Sequence, residues 1–390
     1  MPSFSRPIAS KLPDVGTTIF TVMSRLAQEH NAINLSQGFP DFDCAKELRD
    51  LVTKYINAGL NQYPPMAGVM RLRERISEKA ETLYGAKYDP EHEVTVTPGA
   101  TYAIFNAVAT IVRPGDEVIL FEPMYDSYLP MARRAGANVK LVRLEPPHWR
   151  IDEAKLAAAF TPKTRAMMLT TPHNPAASVF PREDLEIIAR LCAAHDTVAI
   201  SDEVWEHVLF DGRTHASMLH TLRDRTIKIG SAGKMFQMTG WKVGFVCAAP
   251  PLTEVFAKAH QFLTFTTPPN LQTAAAYGLG KEKAYFDATR AAFQRSRDRL
   301  ASALQQEGFV TLPAAGAYFL SIDLERSGIA MPTDEFALRC VKEAGVAVIP
   351  FSPFYAEPNA PPLVRLCFAK KDETLDRGVE RLAKARQLLS

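Results

Sequence analysis

The stretch that decides the reading runs from residue 231 to 244: Ser231-Ala232-Gly233-Lys234-Met235-Phe236-Gln237-Met238-Thr239-Gly240-Trp241-Lys242-Val243-Gly244. It follows the strand-like run Ile227-Lys228-Ile229 and leads into another, Val243-Gly244-Phe245-Val246. A lysine thus sits in a small-residue turn at a strand end, with a second cation and further glycines close behind. A lysine so placed is able to form a Schiff base with an aldehyde cofactor. An isolated lysine in a turn is ordinarily a surface residue, so its surroundings have to decide.

Upstream, short apolar runs alternate with amphipathic stretches. Val94–Val96 ends at Pro98-Gly99, and Ile104, Phe105, Val108, Ile111 and Val112 then share one helical face. Val118–Phe121, Ala166–Leu169 and Val198–Ile200 read as buried strands, and Pro181 opens a helix carrying Leu185, Ile188, Leu191 and Cys192. Repeated strand–helix–strand predicts an α/β fold, a mostly parallel sheet covered by helices. Ligands of such sheets lie beyond the carboxyl ends of the strands. The residues expected there are Gly99-Ala100-Thr101, Glu122–Tyr125, Thr171–Asn174, Asp202-Glu203 and Ser231–Lys234.

Beyond Pro268-Pro269-Asn270 the pattern changes to one long helical run, about 271–307, and then to strand-like pieces at 318–321, 346–349 and 363–366 alternating with helices. We expect a large domain over 46–284 and a smaller α+β domain built from 1–45 and 285–390.

Composition narrows the function classes. Of the 390 residues, 47% are apolar and 23% charged, which suits a globular chain, and the net charge of +2 with no cationic run gives nucleic acid or an anionic membrane no foothold. The five cysteines are scattered and never in a CxxC spacing, which argues against a disulfide framework or a metal site and for a reducing compartment. The first residues lack the apolar core of a secretory signal, and no apolar run is long enough to span a membrane, so a cytoplasmic protein is expected. No GxGxxG follows a strand, which leaves a nicotinamide-binding dehydrogenase without support.

The motif set resembles the class I/II aminotransferases that depend on pyridoxal 5′-phosphate (PLP), in the fold type I superfamily. The resemblance is to the branch of kynurenine, glutamine-phenylpyruvate and methionine aminotransferases. It rests on Asn34–Phe42 (NLSQGFPDF), Asn61–Pro64 (NQYP), Gly99–Thr101, Thr171–Pro175 (TPHNP), Ser201–Val204 (SDEV), Gly230–Gly244, Gly316–Phe319 (GAYF) and Val364–Phe368 (VRLCF), in family order along nearly the whole chain.

The resemblance implies roles. Lys234 would bear the cofactor and carry the proton between Cα and C4′. Asp202 would pair with the pyridine nitrogen and Asn174 with the ring oxygen, while Tyr125 would lie on the ring face. Gly99, Ala100, Thr101, Ser231 and Lys242 would hold the phosphate, with Lys242 standing where much of the superfamily has arginine. Tyr63 would reach the phosphate of a neighbouring subunit in a homodimer. Arg365 would grip the substrate carboxylate, with Gly38 and Asn174 beside it.

Three further places depart from the pattern. Trp205 replaces the usual tyrosine, so either its indole N–H donates to the ring oxygen or its ring points elsewhere. Pro175-Ala176-Ala177 lacks the glycine often found after Asn-Pro, and a remodelled turn is expected; Thr171 stands where asparagine is frequent. Transamination is the leading expectation. A PLP-dependent cysteine-conjugate β-lyase would use the same lysine and clamp. A non-catalytic ligand-sensing domain would need an attached DNA-binding module, for which the match from Asn34 leaves no room. Phe39, Tyr63, Tyr125, Phe354 and Tyr355 suggest a pocket that tolerates aromatic or apolar side chains.

Overall fold

The computed structural model describes residues 8–389; residues 1–7 and Ser390, which the expected small domain includes, lie outside the described residues. A seven-stranded sheet forms the centre. From edge to edge its strands are Val94–Thr97, Gly244–Ala248, Thr226–Ser231, Val198–Asp202, Thr164–Thr170, Glu117–Glu122 and Asn138–Arg143. Gly244–Ala248 runs antiparallel to both neighbours and every other pairing is parallel.

Four of the five interior strands are buried at every residue, on both faces of the pleat, and the fifth, Thr164–Thr170, exposes Arg165. This is why most of them read as apolar runs rather than alternating ones, with Lys228 in Thr226–Ser231 a buried charge among them. Asn138–Arg143 is the exception. As an edge strand it alternates exposed and part-buried residues up to Leu141 before the buried Val142, and it leaves no apolar run in the sequence. Among the helices, Arg182–Ala194 begins after Pro181 with Glu183 and Asp184 in its first turn, where carboxylates complement the helix dipole.

A second sheet, wholly antiparallel, is ordered Ile349–Pro350, Leu363–Cys367, Phe319–Asp323, Val310–Thr311. Ile33–Asn34 pairs in parallel with Val346–Ala347, which ties the N-terminal segment to the C-terminal part. The expected strand at 346–349 is therefore two short strands that serve different sheets, with Val348 at the crossing. The expected helical run over 271–307 is also two helices, Pro269–Leu279 and Lys283–Gln306. The break falls at Gly280, where an added Cβ would lie 3.1 Å from the Arg75 guanidinium.

Ala177 takes φ +57°, the left-handed region that glycine enters freely, and its carbonyl accepts from the N–H groups of Ala315 and Gly316. All five cysteines are free and buried. No helix among the described residues is long and apolar enough to cross a membrane.

Candidate active site

The carboxyl ends of the strands open on a cavity of about 360 Å³. Its wall brings together Gly38, Gly99, Ala100, Thr101, Tyr125, Asn174, Asp202, Trp205, Ser231, Lys234, Lys242 and Arg365. Twelve of the thirteen residues singled out from the sequence thus meet in one place. The thirteenth, Tyr63, does not line the cavity; it is 83% exposed, with its ring edge-on to Phe265 at 5.6 Å.

Lys234 comes from the short helix Ala232–Met235, directly after the strand Thr226–Ser231. Burial pushes its amine down to about 8, with Asp202 raising it and Arg365 and Lys242 lowering it. Asp202 ends the neighbouring strand. Burial pushes its carboxyl up to about 6, against hydrogen bonds from the Tyr128 hydroxyl and the Val204 N–H. An acid and an amine poised near neutrality in one cavity mark a site of proton chemistry.

At one end of the cavity the helix Ala100–Ile111 starts after Gly99, which has φ +86°. The N–H groups of Ala100 and Thr101 lie in its first turn, where no helical carbonyl receives them, so this end attracts an anion. Lys242 adds its charge there: a Cβ on Gly99 would lie 3.1 Å from Lys242 Nζ. Gly244 is needed beside it, because a Cβ there would come within 2.6 Å of the Gly99 carbonyl carbon. Ser231 and Thr239 complete this end of the wall.

Arg365 sits in the antiparallel strand Leu363–Cys367 and is 1% exposed. It donates to Asn174 Oδ1 at 2.7 Å and to the Ser36 carbonyl at 3.4 Å. The Phe319, Phe354 and Phe20 rings surround it at 4.0, 5.1 and 5.2 Å. Among the described residues no carboxylate forms an ion pair with it, and burial lowers its pKa to about 10. A buried guanidinium without a partner anion is costly, and here it faces a cavity that an anion can enter.

Trp205 turns its ring toward Lys234, whose Nζ lies 4.6 Å from the ring centroid. Of the aromatics expected to shape the pocket, Phe39 and Tyr125 line it. Phe354 stands behind Arg365, and Tyr355 packs under Arg143 instead. Thr171, fully buried, accepts from the Phe180 N–H and does not line the cavity.

Several residues of this site, Phe20 beside Arg365 among them, come without an expectation from the sequence. Tyr128 bonds Asp202 at 2.6 Å, Tyr318 bonds Lys234 at 3.3 Å, and Thr239 lines the wall. Tyr318 lay within a recognised motif, and Tyr128 lies three residues beyond Tyr125, but neither spacing announces a partner.

The family model Aminotransferase class I and II matches residues 30–382. The chain belongs to this family. A methionine aminotransferase of Escherichia coli is 46% identical over 376 residues, 96% of this chain and 97% of that protein. Human kynurenine–oxoglutarate transaminase 1 is 35% identical, covering 96% and 97%. The crystal structure of an E. coli protein with methionine aminotransferase function superposes with TM-score 0.94 at 44% identity, covering 97% of this chain and all of that one.

The aminotransferase has the fold type I architecture of its neighbours. It is a PLP-dependent enzyme that moves the amino group of an α-amino acid to a 2-oxo acid. The cavity fits the cofactor: a buried amine and carboxylate lie on adjacent strand ends, and a cationic cradle at a helix N-terminus is closed by glycines that have no room for a side chain.

Proposed function

We propose that this aminotransferase takes its amino group from an amino acid with an apolar or aromatic side chain, methionine first among them, and that the residues gathered in the cavity carry the reaction. The observation behind this is Arg365, a buried guanidinium lacking a carboxylate and reaching the same cavity as Lys234. An α-carboxylate supplies the missing anion through two parallel hydrogen bonds.

Bound PLP supplies an aldehyde for an amine and a ring that takes up the electron pair left at Cα. Lys234 would hold the cofactor, and its Nζ, once freed, would accept the Cα proton of the donor. The Asp202 carboxylate keeps the ring nitrogen protonated. Asn174, with Oδ1 occupied by Arg365, has its amide N–H groups left to donate to the ring oxygen. Tyr125 and Trp205, both in the cavity wall, would flank the ring. Gly99, Ala100, Thr101, Ser231 and Lys242 hold the phosphate. Gly38 leaves room for substrate beside Phe319, which would meet a Cβ at 3.2 Å.

The side-chain preference follows from what remains. The wall offers three cations, Lys234, Lys242 and Arg365, and each has a task. The rest of the donor faces Phe20, Phe39, Tyr125 and Phe319, rings that suit a thioether or another apolar group. The 46% identical methionine aminotransferase points the same way, and glutamine- and kynurenine-like donors belong in the same screen.

The active unit is proposed to be a homodimer. Tyr63 and Phe262 are 83% and 85% exposed and Phe265 lies beside Tyr63, an apolar surface that a second copy covers, with Tyr63 reaching the other subunit's phosphate. The large domain is assigned to 46–284 and the small one to 1–45 with 285–390. Free, buried cysteines suit a cytoplasmic enzyme.

Steady-state assays of the holoenzyme with methionine, phenylalanine, tyrosine, leucine, glutamine, kynurenine and aspartate, each with a 2-oxo acid, test the reading. Methionine is expected to exceed aspartate in kcat/KM by about 100-fold, the loss from burying an unpaired carboxylate. A preference for aspartate overturns it.

A further inference from the structure

Lys234 ends in a nest that none of the roles above explains. Its Nζ lies 3.3 Å from the Gly38 carbonyl oxygen and 3.3 Å from Tyr318 Oη. The Tyr318 hydroxyl donates to that same carbonyl at 2.6 Å, so the three polar atoms close a triangle. With its proton committed to Gly38, the tyrosine oxygen faces the amine as an acceptor. Beneath them lies Trp205, edge-to-face with Tyr318 at 4.2 Å. Tyr318 itself stays protonated, because burial holds its hydroxyl well above the ordinary tyrosine range. It is not the base.

We propose that Tyr318 is a positioning residue for proton transfer: its hydroxyl, locked onto the Gly38 carbonyl, receives the free amine of Lys234 and aims the amine's lone pair into the cavity. This rests on Lys234 being the proton carrier. A neutral primary amine has two N–H bonds and one lone pair. The two oxygens take the two N–H bonds, and the lone pair keeps the remaining direction. When the Cα–H bond breaks, its electron pair stays with the carbon framework and the proton forms a third N–H bond on Nζ. The resulting ammonium keeps both oxygen acceptors and gains the face of Trp205, which favours a cation.

The charged and titratable groups around the amine come from other elements. Asp202 and Cys367 favour the ammonium, while Arg365 and Lys242 oppose it. Tyr318 is the group among these neighbours that fixes direction rather than charge. Because Gly38 belongs to the N-terminal segment and Tyr318 precedes the strand Phe319–Asp323, the base is aimed only when those two parts of the chain are together.

Tyr318→Phe keeps the ring against Trp205 and Phe293 and removes one oxygen. Two readouts decide the proposal. In the apoenzyme, the pH dependence of Lys234 acylation by acetic anhydride, read by peptide mass spectrometry, gives the titration midpoint of the amine. The variant's midpoint is expected about one unit lower, since the ammonium loses an acceptor. In the holoenzyme, single-turnover reaction with Cα-protonated and Cα-deuterated L-methionine is expected to slow about tenfold. The isotope ratio should rise and KM stay within about twofold. An unchanged midpoint, or an unchanged rate and isotope ratio, overturns the proposal. A wild-type enzyme inert toward methionine refutes the proposed donor instead, and the apoenzyme titration then decides the role of Tyr318 alone.

Discussion

The hydroxyl of Tyr128 donates to Oδ2 of Asp202 at 2.6 Å, in the buried wall of the cavity. After burial, which raises the Asp202 carboxyl to about 6, this hydrogen bond is the main influence on it and acts in the opposite direction. Removing it in Tyr128→Phe leaves the acid more often protonated near neutrality and less able to pair with a ring cation. The dissociation constant of PLP from the apoenzyme is expected to rise about tenfold, the worth of one hydrogen bond to a charged acceptor. The loss should grow as pH falls toward 6. Absorbance titration of wild type and variant with PLP at about pH 8 and pH 6 measures it, and equal affinities of the two proteins at pH 6 would contradict the assignment.

Arg365→Lys keeps a cation in the clamp but loses the two-pronged grip. We expect kcat/KM for L-methionine to fall about 100-fold, with PLP affinity within about threefold of wild type. Assaying both quantities on one preparation separates a lost carboxylate contact from general damage to the site.

Burial of Lys234 has a consequence for stability. Its amine is lowered to about 8 in the folded protein, against about 10.4 in an unfolded chain. Between these values the unfolded chain holds a proton that the native protein has released, so apoenzyme stability rises with pH across that window. Below about pH 8 the buried charge costs about 3 kcal/mol. The neutral, similarly shaped Lys234→Met should therefore stabilise the apoenzyme at pH 7 by about 1–3 kcal/mol and do little at pH 10. Urea unfolding of both proteins at the two pH values checks the sign.

Behind the cavity a buried ion pair joins strand to turn. Lys228 Nζ lies 2.6 Å from Glu206 Oε2, with both side chains 3% exposed, and the Tyr84 hydroxyl also bonds Glu206. Glu203 next to it pairs with His215 at 2.8 Å. Lys228→Met strands the Glu206 charge and is expected to lower stability by about 3–5 kcal/mol. Adding Glu206→Gln should recover a large part of this. Denaturant midpoints of the single and double variants provide the test.

Much of the fold is legible in the sequence because interior strands such as Val118–Phe121 and Val198–Ile200 carry unbroken apolar runs that end in turn residues. Asn138–Arg143 stayed hidden because an edge strand needs no such run, and the division at Gly280 because the composition stays helical on both sides of it. At the site, residues with chemistry tied to a motif, Lys234, Asp202, Asn174 and Arg365, came from the sequence and share the cavity. Tyr128 and Tyr318 escaped notice because their partners, Asp202 and Lys234, are distant in sequence and meet only through the folded sheets. The face that Trp205 turns to Lys234 is likewise a matter of packing, not of residue type.

Whether Lys234 bears the cofactor is read out by borohydride trapping. The PLP-loaded enzyme is reduced, digested and mapped by mass spectrometry. A phosphopyridoxyl group on Lys234, absent after prior incubation with excess L-methionine, is the expected result. The same group on another lysine, or on none, would contradict the account.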